Sequence, residues 1–137
     1  MRSYLFDSFA LLCWLQEEEG FKLVDRFILD AQAGKVNLYL SIINLGEIYY
    51  RIAKVAGLKT ARNVLEKIRF LPLRIISASD NLVMKAAELK ARYPIAYADA
   101  FALATALEHQ AVIITGDPEF RVIKEKFEII WIRSYNE

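Results

Sequence analysis

Four acidic residues stand where a carboxylate can do chemistry. Asp7 follows a short apolar run, Ser3 to Phe6, and Asp117 follows another, Ala111 to Ile114, after a Thr115-Gly116 step. Asp99 lies in the first turn of an alanine-rich helix. Glu47 lies mid-helix among Ile42, Ile43, Leu45, Ile48, Tyr49 and Tyr50. Brought to one edge, four carboxylates repel, and some take up protons unless a cation neutralises them. A hard divalent cation is the natural partner, because Mg²⁺ prefers a few carboxylates plus water and substrate phosphate. One or two such ions make hydroxide from water, orient a phosphodiester and stabilise the leaving oxygen. The residue types therefore favour metal-dependent phosphoryl hydrolysis.

Each acid also has a plainer explanation. Asp117 before Pro118 is a favourable N-cap followed by a proline at the first helical position. Asp7 can cap the helix that begins at Ser8, and Asp99 can complement the dipole of its own helix. Its neighbours on that helix, Ala102, Leu103 and Ala106, form an apolar face, so a carboxylate there needs a partner. Capping fails for Glu47; its plain alternative is an i,i+4 pair with Arg51, worth a few tenths of a kcal/mol.

The elements that must position these acids follow from periodicity. Strands are expected at Ser3 to Phe6, Asn37 to Leu40, Arg74 to Ile76, Ala111 to Ile114 and Glu128 to Ile132. Helices are expected over Ser8 to Gln16, Phe21 to Ala33, Ile42 to Val55 capped by Ser41, and Lys59 to Phe70. A further helix capped by Ser79 or Asp80 runs through Ala91, the Asp99 helix runs from Tyr97 to a break at His109-Gln110, and a short helix starts at Pro118. Gly34 and Gly57 mark helix ends. Strands alternating with helices imply an α/β three-layer sandwich with a mostly parallel central sheet. In such sheets ligands bind outside the carboxyl ends of the strands, so Asp7 and Asp117 project from one edge if their strands are neighbours.

Composition narrows the class. A chain of 137 residues that is 55% hydrophobic can bury a core as a single domain spanning 1–137, without disulfides or structural metal. Cys13 is the only cysteine and His109 the only histidine, so thiolate and histidine zinc sites are excluded and any cation is held by oxygen. Net charge is +1, yet the segment from Arg51 to Arg92 holds ten Lys or Arg against three acids. That surplus suits a phosphate-backbone partner, although a solvated helical face explains it as well. Asp7 and the run Glu17-Glu18-Glu19 argue against a signal peptide, and no stretch is long and uncharged enough for a bilayer. A soluble cytoplasmic protein without a membrane partner is expected. Neither a phosphate-cradling glycine loop nor a nucleophile elbow is present.

Taken in order, Asp7-Ser8, Ser41-Ile42-Ile43-Asn44-Leu45-Gly46-Glu47, Tyr97-Ala98-Asp99-Ala100 and Thr115-Gly116-Asp117-Pro118-Glu119-Phe120 resemble the PIN-domain family, and within it the small VapC-type toxins of toxin–antitoxin pairs. The likeness runs from residue 3 to about residue 132. It implies a ribonuclease using Mg²⁺ or Mn²⁺, in which Asp7, Glu47, Asp99 and Asp117 match the acidic quartet that holds metal and performs catalysis. Thr115 matches a hydroxyl residue expected to orient a carboxylate or water, and Ser8 matches the small polar residue after the first acid. The next position often carries another small polar residue in the family; here it is Phe9, which removes one hydrogen bond from behind the ligands. The resemblance further implies a homodimer, an RNA substrate and an inhibitory antitoxin protein, for which the helix around Tyr49, Tyr50 and Ile52 offers contacts if it is not core. The alternatives are a non-catalytic binding module of the same fold and a metal-dependent phosphatase.

Overall fold

In the computed structural model, which describes residues 1–134, five strands form one sheet in the order β3-β2-β1-β4-β5. The expected domain limit at residue 137 lies outside the described residues. The strands are β1 Ser3–Phe6, β2 Asn37–Ser41, β3 Arg74–Ile76, β4 Val112–Thr115 and β5 Ile129–Trp131. Every pairing is parallel, with Leu5 opposite Tyr39 on one side and Ile113 on the other. The helices are α1 Ser8–Leu15, α2 Phe21–Gln32, α3 Ile42–Ala56, α4 Leu58–Arg69, α5 Asp80–Arg92 and α6 Tyr97–His109; a 3₁₀ helix covers Pro118–Ile123.

Strand alternation divides the interior in two. Tyr4, Phe6, Leu38, Leu40, Val112 and Ile114 point to one face, which packs against Ala10, Val24, Ile28, Leu45 and Ile68 from α1 to α4. Leu5 and Ile113 point to the other, against Leu82, Ala86 and Leu89 of α5 and the small residues of α6. The central strands β1 and β4 are therefore apolar through Tyr4–Phe6 and Val112–Ile114, because both faces are covered. Ala100, Ala102, Ala104 and Ala106 are all buried, so α6 lies close against the sheet.

Element limits differ from the expected ones by a residue or so, for local reasons. Ser41 ends β2 and also caps α3, its hydroxyl accepting from the Ile43 N–H at 3.2 Å. Of the two residues able to cap α5, Ser79 does so, accepting from the Leu82 N–H at 3.2 Å. Helix α6 continues through His109 and stops at Gln110, which takes the left-handed conformation with φ 51°. Gly57, with φ 92°, is the hinge where α3 ends and α4 begins, a backbone geometry that other residues rarely adopt.

The chain starts at the sheet centre, moves outward through β2 to β3, then returns across β1 to β4 and β5. The reversal falls between β1 and β4. At that point the two strands' carboxyl ends open a crevice between diverging connections, the usual ligand position in sheets of this kind.

Candidate active site

Asp7 and Asp117 leave β1 and β4 on either side of that crevice. Asp7 is buried and caps α1, its Oδ1 accepting from the Ala10 N–H at 2.8 Å. Its other oxygen accepts from the Thr115 hydroxyl at 2.5 Å. The same hydroxyl oxygen accepts from the Asp117 N–H at 3.0 Å, so Thr115 orients both strand-end acids. Asp117 caps the 3₁₀ helix by accepting from the Glu119 N–H at 2.9 Å. The capping explanations thus hold for both residues, and each keeps its carboxylate aimed at the crevice rim.

Glu47 comes from α3, whose N-terminus starts at the same sheet edge. Its Oε1 accepts from the Ser8 hydroxyl, and its Oε2 pairs with Arg51 Nη2 at 3.1 Å. The i,i+4 pair expected from spacing exists, but it does not account for the whole side chain. The glutamate bridges α1 and α3 with only 11% of its side chain exposed. Asn44, fully buried one turn earlier, donates from Nδ2 to the Ala98 carbonyl at 3.2 Å and so ties α3 to the start of α6. Among the described residues its Oδ1 is buried without a hydrogen-bond partner.

Asp99 differs from the other acids. It is 6% exposed in the first turn of α6, and its carboxylate accepts no hydrogen bond from any described residue. Burial, reinforced by the charges of Asp117, Asp7, Glu119 and Glu47, pushes its pKa up to about 8. Asp7 is pushed up to about 7, chiefly by burial; the Thr115 and Ala10 hydrogen bonds pull against that, and Asp117 and Glu47 add to it. Two protonated carboxylates near neutral pH mark a place with too much negative charge and too little water.

Of the expected quartet, Asp99 and Asp117 come together in one group, and Glu119 joins them. One oxygen from each lies within 4.8 Å of the others. Asp7 and Glu47 stand beside this triplet, near enough to raise the pKa of Asp99, with oxygens already engaged by Thr115, Ala10, Ser8 and Arg51. Glu119 and Asn44 are the participants that spacing did not single out. Glu119 had a signal, since it sits two residues after Asp117 at a helix start, where its side chain can turn back to the same rim. The donor set is all oxygen, and one of its acids lacks any hydrogen bond among the described residues. Both observations fit a hard divalent cation.

Comparison with known proteins agrees with this architecture. The PIN domain family matches residues 4–126. Among solved structures, VapBC from Salmonella typhimurium, in a DNA-bound crystal, superposes with a TM-score of 0.75 at 18% identity, over 97% of this chain and 100% of that one. VapBC2 from Rickettsia felis, bound to a DNA fragment from their promoter, gives 0.72 at 18% identity, over 93% and 97%. VapC20 from Mycobacterium tuberculosis, a Sarcin-Ricin loop cleaving toxin, gives 0.69 at 18% identity, over 90% and 95%. No curated protein matches by sequence. With the family covering most of the chain and the all-parallel sheet shared with these structures, the chain belongs to the PIN domain family.

Proposed function

We propose that this protein is a metal-dependent endoribonuclease that hydrolyses RNA phosphodiester bonds, the toxin of a toxin–antitoxin pair. The observation that carries the reading is the convergence of Asp99, Asp117 and Glu119, flanked by Asp7 and Glu47, at the carboxyl edge where the sheet reverses. Asp7, Asp99 and Asp117, with Glu119, would hold Mg²⁺ or Mn²⁺. Such a cation, when bound, supplies an activated water and stabilises charge on the phosphodiester oxygens. Glu47, held by Ser8 and Arg51, either completes the ligand set or takes the proton of the attacking water. Ser8 and Thr115 hold the acids in place from behind.

The ten basic residues between Arg51 and Arg92 are all exposed, which suits contact with an RNA backbone. A structural neighbour that is a toxin–antitoxin complex supports an antitoxin partner. Tyr50 is 52% exposed, so α3 is more than core and can offer a contact. A homodimer, a single domain over 1–137 and a cytoplasmic location complete the proposal; among the described residues no helix is long and apolar enough to cross a membrane.

One set of observations favours a non-catalytic binding module: Asp7 and Asp117 cap helices, and Glu47 pairs with Arg51. Asp99 has no such structural use, and burying it costs stability without a cation. Incubation of purified protein with total RNA, with Mn²⁺ or with chelator, separates the readings. Cleavage that needs the cation and is lost in Asp7→Asn and Asp99→Asn is expected. Absence of cleavage by wild-type protein under all conditions favours the binding module, and hydrolysis of a chromogenic phosphate ester but not RNA favours a phosphatase.

A further inference from the structure

Phe9 stands where the resemblance led us to expect a small polar side chain, and its surroundings give it a different task. A Cβ placed on Gly116 would lie 2.5 Å from Phe9 Cε1 and 3.0 Å from Phe9 Cδ1, with Ile132 Cγ1 at 2.9 Å. The Cδ1–Cε1 edge of the ring is therefore pressed close to Gly116, in the turn that separates Thr115 from Asp117. The Arg133 guanidinium carbon lies over the same ring, 4.9 Å from its centroid. Arg133 is itself anchored, its Nε and Nη2 donating to the Glu19 carbonyl at 3.1 and 2.7 Å. The ring thus contacts both an anchored cation and a turn that carries two site residues.

Three consecutive residues at the start of α1 thus serve three parts of the site. Asp7 receives Thr115, Ser8 reaches Glu47, and Phe9 covers Gly116. We infer that Phe9 is a positioning residue, whose ring replaces hydrogen bonding with packing to hold the Thr115-Gly116-Asp117 turn, and that glycine is required at 116 because of that ring together with the Ile132 side chain. The inference rests on the nuclease reading, since the turn is assigned to cation binding there. Gly116 has an ordinary backbone conformation, so the demand for glycine comes from close approach.

Mn²⁺ affinity, measured by calorimetry, tests this without relying on cleavage. Residues that fix metal ligands from behind change affinity by about 10- to 100-fold when lost. Phe9→Ala is expected to weaken Mn²⁺ binding about tenfold at the low end of that range, and Phe9→Leu by less. Gly116→Ala is expected to weaken it too, and the double variant Phe9→Ala with Gly116→Ala to bind more tightly than Gly116→Ala alone, because the methyl then shifts into space vacated by the ring and only the Ile132 side chain has to adjust. Wild-type affinity in Phe9→Ala, or simple additivity in the double variant, overturns the assignment. A merely structural role for Phe9 lowers the melting temperature and leaves the affinity of the folded protein unchanged, which also overturns it. If Gly116→Ala fails to fold, Phe9→Ala against Phe9→Leu decides alone: greater loss in Phe9→Ala supports the assignment, and no loss in either overturns it. Wild-type protein that binds no Mn²⁺ overturns the nuclease reading itself, an outcome distinct from the others.

Discussion

Asp99 is the residue where stability and function oppose each other most directly. Its folded pKa of about 8 lies above the ordinary value of 3.8, so between those values the unfolded chain releases a proton that the folded protein keeps. Stability contributed by the protonated acid is complete below pH 4 and is lost as pH rises through 8; Asp7 adds a similar loss up to about 7. The metal-free protein is thus expected to melt lower at pH 8 than at pH 5, by on the order of 5 °C. Asp99→Asn removes one such group. It should melt above wild type at pH 8, give a flatter melting profile from pH 4 to 8, and show no RNA cleavage. Scanning calorimetry in chelator across that range checks the sign, and a wild-type melting temperature that rises from pH 5 to 8 would contradict it.

Among the elements, the turn between β4 and the 3₁₀ helix concentrates the site's geometry. Thr115, fully buried, donates to Asp7 and accepts from the Asp117 N–H, so one hydroxyl couples the ends of the two central strands. Thr115→Val preserves shape and leaves two buried polar groups unpaired, at a cost of about 1–3 kcal/mol. It also removes the hydrogen bond that holds the Asp7 pKa down, so cation binding should need higher pH. Urea denaturation and Mn²⁺ titration against pH read these two effects, and unchanged results in both would show that the hydroxyl is incidental. The start of α3 is the second such element: Asn44 joins it to α6, Glu47 joins it to α1, and Ser41 stops the fraying that would release both. Ser41→Ala is expected to cost about 1 kcal/mol as a lost N-cap, read as a shift in the urea midpoint, and no shift would mean that packing alone holds the helix start.

Across the whole molecule, the parallel sheet was legible because β1 and β4 are built on the short apolar runs Tyr4–Phe6 and Val112–Ile114, a pattern that suits strands buried on both faces. Asp7 and Asp117 were legible for a related reason, as Asp7 follows such a strand directly and Asp117 follows one after Gly116. Asp99 and Glu47 stood out as acids within apolar helices. What spacing could not supply was proximity across the chain. The Asn44 bond to Ala98 spans 54 residues, and the approach of Phe9 to Gly116 depends on how two strand ends meet. The place of Glu119 depends on the tight winding of the 3₁₀ helix, which the sequence marks only as a start at Pro118. In the proposed function one cation takes over from protons among these assembled carboxylates, and proton release on binding reads that exchange. Calorimetric Mn²⁺ titrations in two buffers of different ionisation enthalpy should show about one to two protons released at pH 6, falling toward zero above pH 8, with about one fewer in Asp99→Asn. Binding at pH 6 without proton release, or equal release from wild type and Asp99→Asn, would contradict the account.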